Sequence, residues 1–323
     1  MLVNFVISKD LNSGILRDIY QRYTDYPNRE LSIIISEQPV EDADIYHYHR
    51  PHLETKLVSP AVVTVHHDPE DIDRWLEPAK FEGRYREADM VVCLNSLQVD
   101  FYKNQGIEHT CVIPHGYDTK ILYNDIPKTY QPERKLKLGV ISKRYDRRFK
   151  GEVYQDELML RLDPERFSFI FVGAGRTEDA LMARKLGFEA DVFELLPYRM
   201  FGHLYQSMDF LLMVSNYEGG PANLPEAIAS GTPMLCTRVG MAPDMVLDGV
   251  NGFFLSGNIE QDMSIFNKIA HNEQGIVEHL FEGSVRERTA ISWEQVIEKH
   301  LDMYRNIIAK RQASNIIQES ILV

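Results

Sequence analysis

Two carboxylates, Glu218 and Glu226, stand with seven residues between them around the turn Asn216-Tyr217-Glu218-Gly219-Gly220-Pro221. The glycines allow a ligand to approach the backbone closely. A carboxylate beside such a turn can accept hydrogen bonds from ligand hydroxyls, as the acidic residue of dinucleotide sites does for ribose. Two cations, Arg144 and Lys150, stand six residues apart in Ser142-Lys143-Arg144-Tyr145-Asp146-Arg147-Arg148-Phe149-Lys150-Gly151. Fixed cations can stabilise negative charge that builds during bond breaking. His66, in Thr64-Val65-His66-His67-Asp68, is a third candidate, with His67 its competitor if the register slips by one. Imidazole can contact a polar ligand or pass a proton near neutral pH. Each residue also has a plainer reading. Asn223 and Glu226 are spaced as a capping box, Glu218 could be a solvated turn acid, and the basic run could be a solvated loop; Arg147 and Arg148 are left to that last reading.

Phe210 to Val214, just before the glycine turn, is an apolar run of the kind a doubly buried strand shows. A short helix is expected from Asn223 to Gly231, with Pro233 blocking its extension, then a second strand from Pro233 to Thr237. This βαβ unit turns its helix N-terminus out of the carboxyl end of the sheet, where open α/β sheets bind phosphates and nucleotides. Further strands are expected at Lys135 to Ser142, Phe167 to Val172 and Gly252 to Leu255, with helices at Glu178 to Leu186 and Met200 to Met208. The first half alternates as well, with strands at Leu2 to Ser8, Leu31 to Ser36, Asp44 to His49, Ala61 to His67, Met90 to Asn95 and Thr110 to Pro114. Helical patterns cover Gly14 to Tyr23 and Leu97 to Asn104. Such alternation predicts parallel sheets with helices on both faces. The expected organisation is an N-terminal Rossmann-like domain over 1–118, a polar, proline-containing linker over 119–134, a second Rossmann-like domain over 135–290, and a C-terminal amphipathic helix and tail over 291–323 packing back toward the first domain.

The composition bounds the function classes. Of the 323 residues, 44% are hydrophobic and 26% charged, as in soluble globular proteins. No apolar run approaches the ~20 residues that span a bilayer, and the start MLVNFVISKD has no basic leader or cleavage site. A cytoplasmic chain is the expectation. Cys93, Cys111 and Cys236 lie in or beside apolar runs without metal-type spacing, which suits buried thiols in a reducing compartment. A net charge of −13 disfavours nucleic acid as a partner and allows at most peripheral membrane contact, for which the Leu16 to Tyr26 stretch is the candidate surface.

With Glu218-Gly219-Gly220, Pro225-Glu226-Ala227 and Gly231-Thr232-Pro233, the stretch resembles the E-x7-E signature of the retaining nucleotide-sugar glycosyltransferases of family GT4. The resemblance extends over about residues 110 to 300. It implies the GT-B fold, two doubly wound Rossmann-like domains facing a central cleft. It also implies transfer of a sugar from a nucleoside diphosphate, UDP in preference to GDP, to a hydroxyl of a saccharide, lipid-linked saccharide or small acceptor. The nucleotide sugar is then a co-substrate, with no cofactor and no metal. Arg144 and Lys150 match the pair that clamps the donor diphosphate, and the strand end at Ser142 leads into it. By the same resemblance Glu218 meets the donor sugar, Glu226 the ribose, and the backbone from Gly219 through Gly220, Pro221, Ala222, Asn223 and Leu224 the sugar oxygens and distal phosphate. Gly173, in Gly173-Ala174-Gly175, and Pro197 and Tyr198, in Leu195-Leu196-Pro197-Tyr198, resemble segments near the base. His66 matches the family's TxH histidine, Gly14 a loop that presents amides to the diphosphate, and Ile113 to Asp118 the junction motif, in which His115 replaces an asparagine and is given no role.

Asp42-Ala43-Asp44 and Asp71-Ile72-Asp73 read as DxD metal motifs of the other main glycosyltransferase fold. The first enters a strand at its amino end, away from the ligand end, and the second is expected at a helix start, where acids favour the dipole. His47, His49, His52, His66 and His67 have no structural-zinc spacing. Two other classes stay open: an epimerase or hydrolase acting on a nucleotide sugar, and a silent binding subunit of a polysaccharide assembly complex.

Overall fold

Short runs of β-branched and aromatic residues alternate with helical ones along the whole chain, and each half closes into its own parallel sheet. The computed structural model describes residues 1–7, 14–28 and 30–321. The chain divides into a first unit, Met1–His115 with Trp293–Val323, and a second unit, Gly116–Ser292.

In the first unit the order is β1 (Leu2–Val6), α1 (Gly14–Asp25), β2 (Ser32–Ser36), β3 (Ile45–Tyr48), β4 (Ala61–Val65), α2 (Ala79–Glu87), β5 (Met90–Cys93), α3 (Ser96–Asn104) and β6 (Thr110–Val112). The strands run β2-β1-β3-β4-β5-β6, all parallel. β3 and β4 are buried at every residue, which is why they read as unbroken runs of Ile, Tyr, His and Val. α1 buries Leu16, Ile19, Tyr20 and Tyr23 in this unit, so the apolar side of the candidate membrane segment is already covered.

The second unit holds β7 (Leu136–Ile141), α4 (Glu152–Arg161), β8 (Phe167–Val172), α5 (Thr177–Lys185), β9 (Ala190–Phe193), α6 (Phe201–Ser207), β10 (Phe210–Met213), α7 (Asn223–Ala229), β11 (Met234–Cys236), α8 (Ala242–Met245), β12 (Gly252–Phe254), α9 (Ile259–Ala270) and α10 (Ile276–Arg286). Its strands run β12-β11-β10-β7-β8-β9, again parallel. Leu138, Phe169, Phe171, Leu212, Phe266 and Phe281 are among the fully buried residues of its core. From β7 the chain runs outward to β8 and β9, then returns to the other side of β7 as β10. The order reverses between β7 and β10, and at such a point the loops leaving the strand ends diverge and open a crevice.

The final helix, α11 (Trp293–Ile321), returns to the first unit and buries Val296, Ile297, Leu301, Tyr304 and Ile307 there.

Three sequence expectations are corrected. β9 was not anticipated: only four residues long at the sheet edge, with exposed Asp191 and Phe193, it lacks the buried run that marks the other strands. Asp71 to Asp73 do not start a helix. Asp71 accepts from the Asp73 amide at 2.9 Å and Asp73 from the Trp75 amide at 3.0 Å, local turns that outcompete helical bonding. Residues 119–134, read as a linker, pack within the second unit. Leu122 is fully buried, and the Lys128 ammonium donates to the Tyr205 carbonyl at 2.6 Å and the Thr232 hydroxyl at 2.9 Å.

Candidate functional site

The loops after β7 and β10, the two strands flanking the reversal, carry most of the chemistry singled out in the sequence. The Lys150 ammonium lies 2.5 Å from Glu218 Oε1, which also accepts from the Ser215 hydroxyl at 2.7 Å. Both side chains of the pair are largely buried, at 15% and 8% exposure, so their attraction is screened less than that of a surface pair.

Gly151 makes this approach possible. It has φ +80°, and a Cβ there would fall 1.8 Å from the Val214 carbonyl oxygen, so only glycine lets the Lys150 loop lie against the end of β10. A backbone bond from Asn216 N to Phe149 O at 2.8 Å ties the same two loops together.

Arg144 takes a different partner. Its guanidinium pairs with Asp179 and lies 3.3 Å from Glu178, both in the first turn of α5. Lys150 and Arg144 therefore sit in the same loop but on separate acids. Behind Arg144, Arg176 is completely buried and gives its fork to Ser142 and Asp179: Nε to the Ser142 carbonyl at 2.8 Å, Nη2 to the Ser142 hydroxyl at 2.6 Å, and Nη1 to Asp179 at 2.9 Å. Glu152, also fully buried, has an oxygen 4.0 Å from Arg176 Nη2, and neither of its oxygens has a hydrogen-bond partner among the described residues. Gly173 closes on the same strand end. With φ +134°, its Cβ would stand 2.4 Å from the Ser142 carbonyl oxygen.

Asn223 and Glu226 do not form a capping box. The residue before α7 is Ala222, with no side-chain cap bond. Asn223 Nδ2 donates to the Ile141 carbonyl at 2.8 Å, and its Oδ1 is buried without a partner among the described residues. Glu226 Oε2 instead accepts from the Tyr205 hydroxyl at 2.9 Å. Burial first, then the Glu226 carboxylate, push the Tyr205 phenol well above its usual range, so it remains a donor. Asn223 thus staples the start of α7 to the end of β7, and Tyr205 orients Glu226.

In the turn between the acids, Gly219 and Pro221 are buried, Gly220 and Asn223 half-buried, Ala222 exposed and Leu224 buried. Leu224 faces the core rather than solvent. Pro197 and Tyr198 open a short turn before α6, where Tyr198 packs on Phe201 with ring centroids 5.2 Å apart.

His66 belongs to the first unit, just past the end of β4, and Gly14 is the first residue of α1; the loop before Gly14 lies outside the described residues. His66 Nε2 is 2.8 Å from His49 Nδ1. With Thr64, His115, Trp293 and His300 these two line a small pocket. Burial, then the neighbouring histidines, hold His66 and His49 well below the usual imidazole range, so both are neutral at pH 7. Asp42-Ala43-Asp44 sits at the amino end of β3, where Asp44 accepts from the Leu2 amide at 2.7 Å.

Ser215, Arg176, Asp179, Glu152, Tyr205 and His49 were not singled out as site residues in the sequence. Arg176 directly follows Gly173-Ala174-Gly175, the one signal that could have drawn attention to it.

Residues 146–270 match the family described as Glycosyl transferases group 1. An uncharacterized glycosyltransferase of Methanocaldococcus jannaschii is 25% identical over 260 residues, 76% of this chain and 68% of that protein. A D-inositol 3-phosphate glycosyltransferase of Actinosynnema mirum is 34% identical over 139 residues, 41% of this chain, which spans only 33% of that relative. Among solved structures, HepE of Anabaena in complex with UDP and glucose superposes with a TM-score of 0.71 at 16% identity, over 95% of this chain and 100% of that one.

Proposed function

We propose that this chain is a group 1 glycosyltransferase of the GT-B fold that moves a glycosyl group from a UDP-sugar to a hydroxyl of a saccharide, lipid-linked saccharide or small acceptor, with retention at the anomeric carbon and no metal requirement. The observation that carries this reading is the Lys150–Glu218 pair at 2.5 Å, set between the loops of β7 and β10 where the strand order reverses. UDP as the nucleotide is supported by HepE, whose structure holds UDP and glucose.

In this reading the departing diphosphate meets Lys150 and Arg144 at the end of β7. Negative charge grows on its oxygens as the glycosidic bond breaks, and fixed cations lower that barrier without reorganising. Glu218 accepts from hydroxyls of the transferred sugar and keeps Lys150 aimed while the site is empty. Glu226, oriented by Tyr205, accepts from the ribose hydroxyls. The turn Gly219 to Asn223 offers backbone amides to the sugar and distal phosphate. Ser142, Gly173, Pro197 and Tyr198 shape the nucleotide end, and His66 contacts a saccharide oxygen.

The test has two parts. Thermal shift with nucleoside diphosphates should show stabilisation by UDP that survives EDTA. Lys150→Ala and Glu218→Ala should each lower kcat/KM for the UDP-sugar by roughly 10²–10³-fold. Turnover little changed in both variants would sink the site assignment, and stabilisation that requires Mg²⁺ would sink the metal-free reading. The anomeric configuration of the product by NMR decides retention.

A further inference from the structure

His47 on β3 and His49 just past its end lie two residues apart, as do Thr64 on β4 and His66 just past its end. The parallel register pairs His47 with Val62 and Tyr48 with Val63, so each histidine reaches the side chain two residues beyond its partner. Two rungs result with the same offset: His47 Nε2 to Thr64 Oγ1 at 2.7 Å and His49 Nδ1 to His66 Nε2 at 2.8 Å. The His47 and His49 rings stack with centroids 4.4 Å apart, and Tyr304 on α11 holds the far side of His47, its hydroxyl 2.6 Å from Nδ1. His49 is therefore stacked on a fixed His47 ring and, among the described residues, has one hydrogen-bond partner, His66.

That contact has a direction. Between two neutral imidazoles, one nitrogen donates its hydrogen and the other accepts it. His49 Nε2 is buried among Phe5, Tyr20 and His47 with no hydrogen-bond partner among the described residues. If His66 donated, His49 would carry its own hydrogen on that nitrogen, leaving a buried N–H without an acceptor. Orphaned buried N–H groups are rarer in proteins than under-satisfied acceptors. The arrangement that avoids one has His49 Nδ1–H donating to His66 Nε2.

We infer that His49 is a positioning residue that locks His66 in its Nδ1–H tautomer. The inference rests on the reading of His66 as the residue that meets a saccharide oxygen. Its consequence is chemical: with Nε2 occupied, neutral His66 offers the ligand an N–H donor and no free lone pair. It donates to a saccharide oxygen and does not act as the base that removes the acceptor proton.

Long-range ¹H–¹⁵N correlation spectra of ¹⁵N-histidine-labelled protein at pH 7 read the tautomer directly, with His66 assigned from the signals lost in His66→Gln. Expected are a protonated Nδ1 and a bare Nε2 on His66. His49→Leu should give His66 mixed tautomers and lower kcat on the order of tenfold or more, whereas His49→Asn, which keeps an N–H near the Nδ1 position, should preserve both. A protonated Nε2 on wild-type His66, or an unchanged tautomer in His49→Leu, overturns the inference. A locked tautomer combined with full activity in His66→Gln would leave the positioning intact and remove His66 from the transfer reaction.

Discussion

The two units handle buried polarity in opposite ways. The second keeps several charges on opposite charges, Lys150 on Glu218, Arg144 on Asp179 and Arg176 on Asp179 near Glu152, while Lys128, lowered to about 7 chiefly by burial, is held by a carbonyl and a hydroxyl. The first keeps a cluster of imidazoles and makes them neutral by burial, bonding His47, His49, His66 and His300 to one another or to hydroxyls and carbonyls. A site for an anionic leaving group needs permanent cations, and these survive burial only when paired. A site for neutral hydroxyls needs donors and acceptors without net charge. Acidification should therefore attack the first unit, and deletion of a single partner the second.

The largest effect expected is that of pH. His67 and His300 are both lowered to about 4, chiefly by burial. Their folded pKa lies below the unfolded value, so the unfolded chain binds more protons between the two, and stability falls as pH drops below about 6.5. From pH 7 to 5 each group costs about 2 kcal/mol, giving a loss of about 4 kcal/mol for the pair. Trp75 and Trp293, the two tryptophans of the chain, both belong to the first unit, so urea unfolding followed by tryptophan fluorescence isolates it. A midpoint that does not fall between pH 7 and 5 would erase the contrast.

Arg176→Met tests the other side. It removes the only cation within 4.0 Å of Glu152 among the described residues, together with three short bonds to Ser142 and Asp179. Breaking a buried pair from one side costs about 3–5 kcal/mol, to be read from urea unfolding by circular dichroism. A loss below about 1 kcal/mol would mean that the buried Arg176 contacts contribute little to stability and would remove this side of the contrast.

The smallest effect sharpens the picture of the nucleotide end. Tyr205→Phe deletes the donor to Glu226 and should cost about 1 kcal/mol of binding. That would appear as a several-fold higher KM for the UDP-sugar with kcat nearly unchanged. A fall in kcat at constant KM would move Glu226 from ribose to the reacting sugar.

The βαβ rhythm and the strand–turn–helix around Glu218 were legible because doubly buried strands must be nearly continuous in apolar residues and glycines must fill the tight turns. Lys150 and Glu218 were found from motif spacing, and the structure brings them into contact. Arg144 was found the same way, yet its partner Asp179 could not be read, because the contact joins a loop after β7 to a helix after β8. Asn223 and Glu226 carried an ambiguous signal. A capping box and a ligand acid share one spacing, and the bond that sets the capping box aside comes from Tyr205, on a helix more than a dozen residues upstream.

Local order along the chain thus determined the fold class, the strand-end loops and the charged residues placed on them, since periodicity and turn chemistry act over a few residues. The tertiary structure alone decided which charge meets which. It set Arg176 behind Ser142, tied Glu226 to Tyr205, and laid β3 beside β4 so that His49 lies against His66. Those pairings depend on strand register and helix docking, which are settled by the burial of whole faces and leave no mark in the spacing of any one motif.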